Sequence, residues 1–180
     1  MKRVIYVEPI IENCDVIYNF FSKYNPDSKF VNPHICLVFP FESEIETSTI
    51  QEIYKDAFLN INSFKIGLAG IEVSYEEKNN FLFLKVYDAS DNLKNLSERL
   101  YKRLEGSAKL KGEYNPHITI AKNSSVDCIN SIMEEAKCFS NISFDAYVDS
   151  INCGVLSKDE NGNIVLENEL VYSLDNVKNK

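Results

Sequence analysis

The sequence contains one six-residue pattern twice, NPHICL at residues 32–37 and NPHITI at residues 115–120. These segments hold the only two histidines of the 180-residue chain, His34 and His117. In each copy, Asn-Pro-His-Ile is followed by a small polar residue and then by a branched aliphatic residue. A match of this kind around both histidines is not expected from composition alone, so it indicates an approximate internal duplication with one histidine in each half.

Each copy predicts a buried strand that presents its histidine on one face. Proline disfavours a helical conformation of the residue before it, and the apolar residues that follow fit a strand. Side chains alternate between the faces of a strand, so each histidine shares a face with Cys36 or Thr119, two positions later, while Ile35 and Ile118 point into a core. If the two halves are related by a pseudo-two-fold axis, both histidine faces converge on one cleft.

The remaining apolar pattern predicts an α+β fold with two lobes, each built around an antiparallel sheet with flanking helices. The expected strands are residues 2–7, 35–39, 63–75, 81–87, 117–121, 142–156 and 164–173, and the expected helices are residues 10–24, 46–59, 91–104 and 126–138. We also expect a bulge at 69–70, a turn at 79–80 and a hairpin turn at 159–163. With no low-complexity linker, residues 1–180 are predicted to form a single domain of two interleaved lobes, with the motifs at 34–37 and 117–120.

Composition restricts the partners that this chain is expected to bind. A net charge of −8 and a pI near 4.9 argue against a long duplex or an extended single strand, because those are held by neutralising many phosphates. A small nucleotide or an RNA 3′ end remains permitted if basic groups are concentrated at one site. Lys109, Lys111 and Lys122 flank His117 and are candidates, although solvated surface lysines are the alternative explanation.

Cysteine usage and hydropathy indicate a cytoplasmic protein without a metal. The five cysteines are scattered with no C-x-x-C pair, which predicts reduced thiols and neither a disulfide framework nor a zinc site. No stretch approaches the roughly 20 apolar residues that span a bilayer, so no membrane association is expected. Two histidines without a recurrent carboxylate offer too few ligands for a metal, and we expect a monomer that needs no cofactor.

Paired imidazoles suit acid-base chemistry on a phosphodiester. Opening a cyclic phosphate requires one group to take a proton from water and another to give a proton to the leaving ribose oxygen. An imidazole, with an ordinary pKa of about 6.5, can do either near neutral pH. A hydroxyl on the same face can donate to the non-bridging phosphate oxygens. Ordinary packing of each histidine is the alternative for a lone residue, but the matched pair favours a site.

These motifs resemble those of the two-histidine phosphoesterase superfamily, which includes 2′-5′ RNA ligases and RNA cyclic phosphodiesterases. The resemblance covers most of the chain and rests on a pair of His-x-Thr/Ser-x segments in which x is apolar. Residues 117–120 match fully, whereas Cys36 replaces the hydroxyl residue of the first copy. The resemblance implies a pseudo-symmetric central cleft, no cofactor, and action on 2′,3′-cyclic phosphates or 2′-5′ linkages; it leaves reversible 2′-5′ RNA ligation open.

Carried over by position, the resemblance assigns acid-base roles to His34 and His117 and phosphate binding to Thr119, with Cys36 at the matching position. Lys122 is a candidate for added charge near the phosphate, and Tyr114 or a loop aromatic such as Phe41 is a candidate for stacking on a base.

Three alternatives remain open at this point. A degenerate first motif is compatible with a non-catalytic protein that binds a nucleotide or an RNA end. A thiol nucleophile at Cys36, activated by His34, is a second mechanism. A purely structural or interaction protein is the third, and it predicts that no phosphate ligand binds.

Overall fold

The structure is a computed structural model that describes residues 1–104, 106–110, 112–160, 162 and 164–174. The strands are β1 (Lys2–Val7), β2 (Ile10–Ile11), β3 (Ile35–Glu42), β4 (Phe64–Tyr75), β5 (Asn80–Tyr87), β6 (His117–Asn123), β7 (Ser143–Val148), β8 (Ser150–Lys158) and β9 (Ile164–Ser173). The α-helices are α1 (Asp15–Tyr24), α2 (Thr47–Ala57), α3 (Asn92–Arg103) and α4 (Val126–Glu135), and 3-10 turns cover Pro26–Lys29 and Ala136–Asn141.

The described strands form two antiparallel sheets, which confirms the predicted α+β class and its two-sheet architecture. One sheet has the order β3-β1-β8-β9 and the other has the order β2-β7-β4-β5-β6. The first motif therefore lies on an edge strand of one sheet, and the second motif lies on an edge strand of the other. These two edge strands, β3 and β6, contact each other. The fold thus brings the duplicated segments side by side.

Each motif strand is covered by a helix from the other part of the duplication. Helix α1 precedes β3 in the chain but packs on β6, and α3 precedes β6 but packs on β3. The buried Ser97 hydroxyl of α3 donates a 2.7 Å hydrogen bond to the Leu37 carbonyl of β3. The apolar faces of both motif strands, represented by Ile35 and Ile118 at 0% exposure, belong to the hydrophobic core.

The first strand has the predicted bounds, but the helix predicted for residues 10–24 is shorter. Ile10 and Ile11 form β2 and pair with β7, and the Glu12 amide continues this pairing by donating to the Asp145 carbonyl at 2.9 Å. Asn13 then has a left-handed φ of 54°, which a helix cannot accommodate, so α1 begins only at Asp15. The apolar residues at 10 and 11 serve a sheet edge rather than a helix face.

The strand predicted for residues 35–39 continues through Pro40 to Glu42. Proline cannot donate a backbone hydrogen bond, but an edge strand needs to donate on one side only. Because β3 is an edge strand, Pro40 is tolerated, and Phe41 and Glu42 still pair with β1.

The predicted bulge at 69–70 is confirmed by a shift in the β4–β5 register between Leu68 and Ile71, with Gly70 at a φ of +74°. The turn expected at 79–80 is wrong for Asn80, which begins β5; its buried side-chain amide donates to the Asn123 and Ser124 carbonyls, each at 3.2 Å.

Toward the chain end, the helix predicted for residues 126–138 finishes at Glu135 and continues as the 3-10 turn, and the strand predicted for residues 142–156 is divided at Asp149 into β7 and β8. Of the predicted hairpin turn, Asn161 and Asn163 lie outside the described residues, whereas the Gly162 amide donates to the Asp159 carbonyl at 3.0 Å. Among the described residues, no helix has the length and apolar character required to cross a bilayer.

Candidate active site

Both histidines are held by the same local hydrogen bond. In the first motif, His34 Nδ1 lies 2.7 Å from the Asn32 carbonyl oxygen, and in the second, His117 Nδ1 lies 2.8 Å from the Asn115 carbonyl oxygen. A carbonyl can only accept, so Nδ1 carries the proton in both rings. In the neutral form each imidazole therefore has Nε2 free as a proton acceptor. The intervening proline and the asparagine carbonyl thus fix the tautomer and the direction of both rings.

Both motif strands also contain the same irregularity. In β3 the pairing moves from Tyr6–Cys36 to Ile5–Val38, and in β6 it moves from Phe83–Thr119 to Leu82–Ala121. One extra residue is therefore inserted after each histidine segment, and two successive side chains face the core. The bulge shifts the alternation so that the fifth residue after each histidine returns to the histidine face. These fifth residues are Phe39 in the first motif and Lys122 in the second.

Aromatic rings hold the histidines in place and connect the two strands. The His117 ring stacks on Phe83 of β5 with centroids 3.9 Å apart, and the His34 ring meets Tyr6 edge-on at 5.3 Å. Phe39 of β3 lies 6.5 Å from the His117 ring at an interplanar angle of 29°. A residue of the first motif strand therefore reaches the histidine of the second across the boundary between the sheets. The two histidine faces meet at one site.

Burial lowers the pKa of both histidines from their ordinary value. For His34, desolvation lowers the pKa, while the Asn32 carbonyl and the Glu8 carboxylate raise it less. For His117, desolvation again dominates; the Asn115 carbonyl and nearby glutamates raise the pKa, and His34 lowers it. Because the His34 imidazole lowers the pKa of His117, protonation of His34 disfavours protonation of His117. A pair that carries one proton is what acid-base catalysis requires.

Cys36 and Thr119 are at matching positions, two residues after each histidine. Both are partly exposed on the histidine faces. Burial in an apolar environment raises the pKa of the Cys36 thiol to about 12, so the group is a neutral thiol near pH 7. A nucleophilic cysteine needs a lowered pKa, so the environment disfavours the thiolate mechanism. Thr119 offers a hydroxyl donor where Cys36 offers only a weak S–H donor.

The structure corrects the role suggested for two aromatic residues. Tyr114 is 6% exposed, and its hydroxyl donates to the Cys36 carbonyl at 2.9 Å. Phe41 is 7% exposed and packs in the core. Neither ring is available to stack on a base; Tyr114 instead supports the backbone of the first motif. Phe39, at 41% exposure, is the aromatic residue that the site presents.

The three lysines predicted to lie near His117 differ in what the structure shows of their positions. Lys122 faces the site but forms a 2.8 Å ion pair with Asp27 from the 3-10 turn after α1. Lys109 is exposed in the loop that precedes β6, and Lys111 lies outside the described residues. Of Lys109 and Lys122, the two that the structure describes, Lys122 lies on the histidine face of β6.

Sequence reasoning missed Phe39, Phe83 and Asn25. The Asn25 side-chain amide approaches the Thr119 carbonyl at 3.5 Å and so supports the second motif from α1. Alternation at Phe81, Phe83 and Lys85 is visible in the sequence and could have identified the ring beneath His117. Phe39 could be assigned to the histidine face only with knowledge of the bulge in β3. Within the described residues, no three His, Cys, Asp or Glu side chains converge in a way that could hold a metal ion.

The chain is similar in sequence to proteins that carry the name phosphoesterase, and it is similar in fold to several solved structures. It is 26% identical over 129 residues to a Bacillus pumilus protein named "Putative phosphoesterase", with 71% of this chain and 73% of that protein covered. E. coli LigT, crystallised with 3′-AMP, has the same fold, with a TM-score of 0.64 at 14% identity and coverage of 96% of this chain and 97% of that one. Thermus thermophilus TT0787 matches with a TM-score of 0.66 at 15% identity, covering 98% and 100% of the two chains.

The family model of the 2′-5′ RNA ligase superfamily matches residues 11–160, a span that includes both histidine motifs and both motif strands. Together with the phosphoesterase relatives, this match supports an activity of the phosphoesterase or ligase type. The chain belongs to the 2′-5′ RNA ligase superfamily.

Proposed function

We propose that the chain is a metal-independent phosphodiesterase that acts on 2′,3′-cyclic phosphates of RNA ends or nucleotides, or on 2′-5′ linkages, with His34 and His117 as general acid and base. The observation that carries this proposal is the matched pair of imidazoles, each fixed through Nδ1 by an asparagine carbonyl and brought together on contacting edge strands. Histidines that serve only to pack the fold do not require the same hydrogen bond at Nδ1 in both motifs.

The geometry supports a proton-transfer mechanism. The neutral imidazole accepts a proton at Nε2 from the attacking water, while the protonated imidazole gives its Nε2 proton to the leaving ribose oxygen. The Thr119 hydroxyl donates to a non-bridging phosphate oxygen as negative charge grows there. After the reaction the two histidines have exchanged protonation states, and exchange with water restores them.

Phe39 completes the proposed substrate site. Its ring is exposed on the same face as the histidines and lies next to His117. Stacking of a base on an exposed aromatic ring contributes on the order of 1–3 kcal/mol and tolerates any base. The similarity in fold to a protein crystallised with 3′-AMP supports a nucleotide ligand for this site.

The proposal is tested by turnover of a 2′,3′-cyclic mononucleotide and of a 2′-5′ dinucleotide in the presence of excess EDTA. We expect hydrolysis of at least one of them at an unchanged rate with and without the chelator, because protein groups supply both proton transfers. A rate that EDTA abolishes, and that an added divalent ion restores, would contradict the metal-independent mechanism.

Non-catalytic binding of a nucleotide or an RNA end is the second candidate, and the neutral thiol at Cys36 is the observation that favours it. Without a second hydroxyl, the site holds the transition-state charge less well while still fitting a phosphate. Calorimetry with the same ligands separates the two: binding that leaves the ligand intact after prolonged incubation supports the binding protein.

Replacing Cys36 with Thr is expected to raise kcat/KM by about threefold to tenfold, because a hydroxyl is a better donor than a thiol by roughly one hydrogen bond. Steady-state kinetics on the better of the two substrates measures the change. Cys14→Thr, on the other half-buried cysteine, is the matched control and should have no effect. Loss of activity in Cys36→Thr would instead identify the thiol as an essential group.

A further inference from the structure

A cationic cavity lies directly beside the second motif strand. It has a volume of about 630 Å³, and three lysines line it together with asparagine and serine side chains. These lysines are Lys23, Lys29 and Lys122. No carboxylate is among the described residues that line it. In a chain of net charge −8, a cavity whose ionised lining groups are all positive favours an anionic ligand.

Two residues that line the cavity connect it to the second motif strand. Lys122 is on the histidine face of β6 because of the bulge after Thr119. The side-chain amide of Asn25, another lining residue, donates to the Thr119 carbonyl at 3.5 Å. Lys122 lies three residues of strand, roughly 10 Å, from Thr119, the proposed phosphate position. That distance suits the phosphate of the neighbouring nucleotide in the same RNA strand.

Two of the three ammonium groups already have carboxylate partners outside the cavity lining. Lys122 pairs with Asp27 at 2.8 Å, and Lys23 pairs with Glu135 at 2.7 Å. These pairs offset the charges of the two lysines. Lys29 is exposed and has no ion-pair partner among the described residues, so its charge is available to a ligand. Amide groups of Asn79 and Asn123 supply further donors.

We propose that this cavity binds the phosphodiester on the 5′ side of the terminal nucleotide, so that the protein prefers an RNA 3′ end to a free mononucleotide. The inference rests on the proposed function and specifies its substrate class. A terminal cyclic phosphate leaves only the 5′ side of its nucleotide for chain continuation. The cavity offers one uncompensated lysine and several neutral donors, which fits one or two phosphates rather than a long strand. The overall negative charge of the protein disfavours longer contacts.

The test compares a tetranucleotide that carries a 3′-phosphate with the matching nucleoside 3′-phosphate, using calorimetry at several salt concentrations. We expect the tetranucleotide to bind at least tenfold more tightly. Lys29→Gln should reduce the affinity for the tetranucleotide by about fivefold to tenfold and lower its salt slope by about 0.7, which corresponds to one lost phosphate contact on a single strand. The affinity ratio between the two ligands should fall by the same factor.

Lys55→Gln is the matched control, because Lys55 is an exposed lysine of α2, which packs on α3 and β9. In the Lys55→Gln variant, the ratio of the affinities for the tetranucleotide and the nucleoside 3′-phosphate should stay at the wild-type value. Equal affinity of wild type for the two ligands, or an equal effect of the two lysine variants, would overturn the proposed subsite.

These measurements also separate the subsite from the catalytic proposal, because binding is measured without turnover. A selective loss of tetranucleotide affinity in Lys29→Gln, together with absence of hydrolysis, would support the subsite and reject the phosphodiesterase. Hydrolysis with no preference for the longer ligand rejects the subsite and leaves the phosphodiesterase standing.

Discussion

Replacing either His34 or His117 with alanine is expected to lower kcat by about 10²- to 10⁴-fold, because each removes a positioned proton donor or acceptor. The two rings share one site, where the protonation of one affects the other. We therefore expect the double variant to be little worse than the worse single variant, since groups that act as a unit are not additive. Single-turnover kinetics on the substrate identified with EDTA present measures the chemical step directly.

Tyr75→Ala is the control for the histidine variants, because it removes a ring that is 57% exposed on β4, outside the motif strands. It should retain wild-type kcat, and circular dichroism should show all variants folded. Retention of activity within threefold in either histidine variant would reject the two-histidine mechanism, whereas loss in only one of them would leave a single-histidine mechanism.

The position of the candidate site on two motif strands could be predicted from sequence because the duplicated motif is local. Each motif lies within five consecutive residues. These include the proline, the histidine and the alternating pair that follows, which is Ile35 and Cys36 in the first motif and Ile118 and Thr119 in the second. The structure places Ile35 and Ile118 in the core and their neighbours on the other face, as alternation requires. The expected class of fold followed from the same periodic signals.

The contents of the site beyond the motif could not be predicted, because they depend on register. Leu37 and Val38 look like the continuation of a buried strand, and only the pairing with β1 shows that one of them is inserted. That insertion moves Phe39 onto the histidine face, and a second register shift, between Val38 and Phe41, returns Phe41 to the core. The Lys122–Asp27 pair likewise joins residues that are distant in sequence, so no local pattern indicates it.

The Asn-Pro-His repeat has a structural explanation that the sequence alone did not supply. The asparagine carbonyl two residues before each histidine accepts from Nδ1. For His34 the same asparagine also donates from its side chain to Glu8 at 3.2 Å, so the first motif is connected to the end of β1. The two halves thus share the hydrogen bond that fixes the tautomer but differ in their surroundings, which gives the two histidines unequal environments.

Replacing Glu169 with alanine is expected to destabilise the fold by about 3–5 kcal/mol, because it leaves the buried Arg3 guanidinium without its counter-charge. Arg3 is 2% exposed, and its Nε and Nη2 atoms donate to the two Glu169 oxygens at 2.7 Å each. Its Nη1 donates to the Ser43 hydroxyl and the Ile45 carbonyl, which do not neutralise it. Denaturant unfolding measures the loss.

The same ion pair predicts an acid dependence of stability. Hydrogen bonding to Arg3 lowers the pKa of Glu169 to about 2. A carboxylate whose pKa is lower in the folded state stabilises the fold above its unfolded pKa of about 4.3, and this contribution is lost as pH falls toward 2. Wild type should therefore lose stability over that range more steeply than Glu169→Ala.

Asp56→Ala breaks the half-exposed pair with Arg103 and is the control for Glu169→Ala; it should cost at most about 1 kcal/mol of stability. An equal loss in the two variants would mean that Arg3 finds water or another partner when Glu169 is absent. Arg3 belongs to β1, which pairs directly with the motif strand β3, so the buried ion pair stabilises the sheet from which His34 is presented.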